Sequence, residues 1–126
     1  MPTPDEIRQM DGPALCVLAF ALGLAPEGAS LGWPSAGDVC ANRDLWRPHH
    51  DIATAETVFR SLRACGWTTS VAWFADDRQH GDAFAATQGR AVGVHWPRDV
   101  PTEAMALLLV SVLAAASEGG PHDAQR

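Results

Sequence analysis

The chain has 126 residues, a formal net charge of −6, 47% apolar residues and 19% charged ones. That length suits one compact domain and excludes a multidomain enzyme, while the apolar content excludes a disordered tail. All nine basic residues are Arg, so Schiff-base chemistry and a phosphate-loop lysine are excluded. An acidic chain with scattered Arg argues against nonspecific binding to DNA or RNA, because phosphates require a basic surface. An acidic surface can instead occupy a basic groove on another protein.

The first signal in the chain is Thr3-Pro4-Asp5-Glu6. Thr3 caps, Pro4 fits the first helical position, and Glu6 closes a capping box, predicting a helix over about 4–10. Gly12-Pro13 interrupts it. A second helix over 13–22 is apolar nearly all round and stops at Gly23. A helix of that kind is buried on more than one side. The run is too short to span a membrane, and the acidic segment before it does not suit a signal peptide, so a cytoplasmic protein is expected.

Residues 24–50 are broken by Pro26, Gly28, Gly32, Pro34, Gly37 and Pro48. A loop of that length is either functional or pinned by its own aromatics, Trp33 and Trp46. Asp51 caps a third helix whose stripe is Ile52, Ala55, Val58, Phe59, Leu62 and Cys65, with Glu56 and Arg60 paired outside and Gly66 as the stop. Trp67–Ala75 alternates as a strand, with Trp67, Thr69, Val71 and Trp73 on one face. Asp76–Gly81 reads as a polar turn. Asp82–Thr87 and Arg90–Trp96 read as strands joined by a tight turn at Gln88-Gly89. Trp67, Trp73 and Trp96 are expected in the core or on a sheet face. Thr102 caps a last helix over 103–117, and residues 119–126 form a frayed tail.

The order α-α-loop-α-β-β-β-α predicts an α/β fold of the α+β type, one domain over 1–118. Its three-stranded antiparallel sheet is sandwiched by helices. Two helices apolar on most of their surface cannot both be covered by one sheet face. Helices on both faces, a homodimer through helices 13–22 and 103–117, or both, are expected.

Three Cys with no CxxC spacing indicate reduced thiols. Cys16 and Cys65 are expected as small core residues, leaving Cys40 exposed. Its acidic neighbourhood argues against a nucleophile. His49-His50-Asp51, with Cys40 in reach, is the weak candidate for a metal or proton-transfer site, and a metal-dependent hydrolase centred there is the enzymatic alternative. Zinc spacings, a nucleophile elbow and a dinucleotide-binding glycine motif are absent. No catalytic residue and no cofactor are assigned. Trp33, Trp46, Arg43 and Arg47 form the candidate partner-binding patch, since Trp and Arg are common interface anchors.

Glu6-Ile7, the helix Asp51-Ile52-Ala53-Thr54-Ala55, the Gly66-Trp67 junction, and Pro101-Thr102-Glu103-Ala104-Met105 opening a helix rich in Ala and Leu together resemble the phage ABA sandwich family of small phage and prophage domains. Trp33 falls where such domains often carry a Trp. The resemblance covers about residues 5–115 and implies an α/β/α fold and a phage or prophage protein in a bacterial cytoplasm. The second helix lacks the acidic residue that members often have, so no polar site is carried over, and no activity is implied. The reading is a non-enzymatic protein that binds a host or phage protein, with neither membrane nor nucleic acid as direct partner. Its sharpest form is an inhibitor of a host anti-phage defence of the CRISPR type. A structural or assembly homo-oligomer of a phage is the other alternative.

Overall fold

A computed structural model describes residues 2–26, 46–74 and 77–118. Trp33, Cys40, Arg43, the turn residue Asp76 and the tail 119–126 lie outside the described residues. The element order is α1 (Pro4–Arg8), α2 (Gly12–Ala21), α3 (Ile52–Ser61), β1 (Thr68–Phe74), β2 (Asp77–Thr87), β3 (Arg90–Trp96) and α4 (Glu103–Glu118). This is the expected α+β order.

Local chemistry sets most of the boundaries. Thr3 and Glu6 form the capping box at α1, and Asp11 accepts from the Ala14 N–H to cap α2. At the other end of α2, Gly23 has φ 80°. The Gly23 N–H donates to Phe20 C=O and the Leu24 N–H to Ala19 C=O, the paired bonds of a Schellman stop. Asp51 caps α3 through Ala53 N–H. A 3-10 turn over Leu62–Cys65 ends at Gly66 with φ 92°.

That 3-10 turn corrects one expectation. Its tighter winding breaks the 3.6-residue period and rotates Cys65 out of the apolar stripe, so Cys65 is exposed. Ile52, at the first position of α3, is also largely at the surface.

β1, β2 and β3 form one antiparallel sheet in that order. The Gln88-Gly89 turn joins Thr87 and Arg90, as expected. β2 begins at Asp77, so the expected turn Asp76–Gly81 is strand from Asp77 onward. The rows Val71–Ala83–Val94 and Thr69–Ala85–Val92 share one face of the sheet. Ala83, Ala85, Val94 and Trp96 are buried there, where α4 packs on β2 and β3. Gly81 and the two alanines keep this surface low enough for α4 to approach.

α4 is the centre of the core. Residues from Ala104 to Ala114 are buried with the exception of half-buried Met105, and α1, α2 and α3 all pack on this helix. Ser111, buried at mid-helix, donates to Leu107 C=O. Thr102 caps the start through Met105 N–H, and Arg90 donates to Ser117 C=O near the end. Most of α4 is therefore covered within one chain. The apolar α2 has a different fate: Val17 and Phe20 are 48% and 40% exposed.

No helix among the described residues is long and apolar enough to cross a membrane.

Candidate functional site

Two places gather chemically distinctive residues. The first is the corner where the chain re-enters at Trp46 and leads into α3. His49 is buried, and its Nδ1 lies 3.0 Å from Cys16 Sγ in α2. Gly12 makes this possible, because a Cβ there would collide with the imidazole. Burial pushes the Cys16 thiol up to about 11, against a smaller pull from the His49 backbone. The thiol is thus protonated at neutral pH and lies within hydrogen-bonding distance of Nδ1. Burial, followed by the charges of His50 and Arg47, holds His49 below its usual range. A cysteine nucleophile needs a thiolate and access. Cys16 is fully buried and neutral, so this pair serves as a packing contact.

Of the weak metal candidates, His49, His50 and Asp51 fall among the described residues. The His49 and His50 rings lie 4.1 Å apart, but Nδ1 of His49 is turned to Cys16. Asp51 accepts from Ala53 N–H and from Thr54 Oγ1, and this second bond chiefly lowers its carboxyl below the usual range. Asp51 is a helix cap. Among the described residues no three His, Cys, Asp or Glu side chains converge to hold a metal ion. Cys40 lies outside the described residues.

Of the candidate partner patch, only Trp46 and Arg47 fall among the described residues. Trp46 is only 6% exposed and meets Phe20 edge-on, with ring centroids 6.5 Å apart. It pins the returning chain to α2. Its indole N–H, and Nε and one terminal nitrogen of the half-buried Arg47, have no hydrogen-bond partner among the described residues. Trp33 and Arg43 lie outside them.

The second place is the sheet face turned away from α4. Its rows are Thr68–Ala86–Ala91, Ser70–Phe84–Gly93 and Ala72–Asp82–His95. Phe84 is 44% exposed with its ring against Gly93, and Phe74 is 42% exposed. Phe74 stacks beside His95, whose Nδ1 is 2.7 Å from Asp82 Oδ1. Asp82 is the one carboxylate in those rows. Trp73, expected in the core or on a sheet face, is 45% exposed near the end of β1. Sequence reasoning placed Thr68, Ser70, Ala72 and Phe74 together on one face but assigned that face no role. Among the described residues, α1, α2 and α3 pack on α4, and α4 packs on the opposite face of the sheet.

Compared with protein-family models, with curated proteins and with solved structures, the chain matches none.

Proposed function

We propose that this protein works by docking another protein, and that the sheet face opposite α4 is the contact surface. The observation that carries this reading is the open face itself. Two exposed phenylalanines stand on a floor of Ala72, Ala86, Ala91 and Gly93. Contiguous exposed apolar surface of this kind marks interaction sites. Aromatic anchors over a flat, small-residue floor fit the way interface energy concentrates in a few side chains. Asp82 and His95 supply a polar margin beside Phe74.

The resemblance to phage ABA sandwich domains supplies the setting, an infected bacterium, and the partner class, a host or phage protein. The net charge of −6 favours a partner with a basic nucleic-acid groove, as a CRISPR-type defence effector has. Affinity capture from the host lysate tests the docking reading, with Phe84→Ser as the paired bait. One stoichiometric partner on the wild type, lost on the variant, is the expected result. A clean wild-type bait ends the reading. Phage plating on defence-bearing hosts tests the narrower form, and no protection in any host removes the inhibitor while leaving the docking surface in place.

A further inference from the structure

We infer that β1 is a self-pairing edge, through which two copies of this chain join their sheets antiparallel about a two-fold axis at Val71. The inference starts from the opposite edge. His95 N–H donates to Asp99 Oδ2 at 2.8 Å, and Asp99 N–H donates to His95 C=O at 2.8 Å. Both backbone groups of His95 therefore point away from β2. Inward and outward residues alternate in an antiparallel ladder. Carried across the register, this turns Thr68, Ser70 and Ala72 toward β2, and turns Thr69 and Val71 outward. Neither of these two has a backbone partner at that edge among the described residues.

The two edges are guarded differently. β3 is closed at His95 by a carboxylate and followed by Pro97 and Arg98, the usual devices against strand addition. β1 reads Thr-Thr-Ser-Val-Ala-Trp-Phe, with no charge, no Pro and no Gly. Beside it, between β1 and α3, runs a groove of about 190 Å³ lined in part by Glu56, Phe59, Arg63, Thr69, Val71 and the chain's own Trp73. A cavity of about 150 Å³ accepts a benzene ring, so an aromatic side chain fits.

The occupant is a second copy for two reasons. A neutral strand can pair with itself without like-charge repulsion, even in a molecule of net charge −6. With the axis at Val71, the two Val71 residues exchange both backbone bonds, and Thr69 of each chain lies opposite Trp73 of the other. That register delivers the exposed indole to the groove, where Arg63 Nε is held 2.8 Å from Thr69 Oγ1. A guanidinium over an indole adds a cation–π contact. The pairing is isologous, so it closes at two copies.

Sedimentation equilibrium and amide exchange on the full chain test this. The expected results are a dimer and a Val71 amide whose protection rises with concentration. Val71→Pro removes an N–H that the chain's own ladder does not use, at an edge where Pro is tolerated. It should weaken dimerisation about tenfold or more. Trp73→Glu, which sets a carboxylate beside Glu56, should act in the same direction and decides the matter if Val71→Pro unfolds; circular dichroism reports the fold of each. A wild type that stays monomeric at its solubility limit overturns the proposal. So does a dimer whose Val71 amide exchanges freely, which would place the contact elsewhere, such as Val17 and Phe20 of α2, and so does a monomer that pairs this edge with a foreign strand. Phe84→Ser should leave dimerisation intact, so this inference and the docking surface fail separately.

Discussion

The two faces of the sheet invert the usual distribution of side chains. Along β2 the residues pressed against α4 are Gly81, Ala83 and Ala85, while the large Phe84 between them points to the surface. Small residues face the helix because α4 must come close enough to bury Trp96 and Val94. Among the described residues, the outer face carries the exposed Phe74 and Phe84, so bulk is tolerated there. Aromatic content thus does not mark the core: Trp46, Trp67 and Trp96 are buried, whereas Trp73, Phe74 and Phe84 are not. What decides is whether another element of the chain packs against the side chain itself.

The largest expected effect comes from adding one methyl group to the closed face. At Gly81 a Cβ would run into the Trp96 ring and the Ala72 carbonyl. The carbonyl is backbone and cannot turn aside. Gly81→Ala is expected to destabilise the fold by about 1–3 kcal/mol. Gly93, on the open face of the next strand, is the control. A Cβ there meets Phe84 Cδ2 at 3.4 Å, an ordinary contact. Gly93→Ala should stay within about 0.5 kcal/mol of the wild type, with a small gain from the restricted unfolded chain. Urea denaturation of both variants reads the difference, and equal losses would mean that the outer face is packed as tightly as the inner one.

Much of this arrangement was legible because it is local. The Thr3–Glu6 capping box, the Asp51 and Thr102 caps, the Gly66 stop and the Gln88-Gly89 turn each depend on residues a few positions apart. The misreadings are non-local. α2 and α4 have the same all-round apolar pattern, yet one is the hub and the other shows Val17 and Phe20 at the surface. Their fates depend on where the rest of the chain goes. The polar run Asp77-Arg78-Gln79-His80 has no alternation, so only pairing reveals it as strand. Cys16 and His49 are 33 residues apart, and no spacing rule joins them. Gly12, one turn before Cys16, was the single hint that something large approaches α2.

That buried corner makes the next prediction, and it separates buried from open histidines. Burial lowers the His49 pKa from 6.5 in the fold. Below about 6.5 the unfolded chain takes a proton that the folded chain refuses, so stability is intact above that pH and declines as acid is added. Thermal unfolding between about pH 7 and about pH 5 should show this loss. His49→Gln should flatten it while lowering the plateau; an unchanged slope would assign the loss to other groups. At the alkaline end the sign reverses. Cys16 is raised to about 11, so the unfolded thiol ionises first, and stability falls as pH climbs from about 9 toward that value.

Among changes to large side chains, the smallest effect on stability is expected at Phe84. Its ring is already nearly half in water, so truncation forfeits only part of the 1.5–3 kcal/mol that full burial of a large apolar side chain is worth, roughly 1 kcal/mol or less. If the open face is an interface, the same change removes a central aromatic anchor and should cost binding about 2 kcal/mol, roughly thirtyfold in affinity. The two numbers must diverge for the docking reading to stand. A Phe84→Ser variant that unfolds as readily as Gly81→Ala would show that the ring stabilises the sheet itself. The difference between the two faces would then be one of exposure only, and the surface would have to be sought elsewhere. A variant that keeps its unfolding midpoint but loses its partner would make the exposed ring the reason this face is left uncovered.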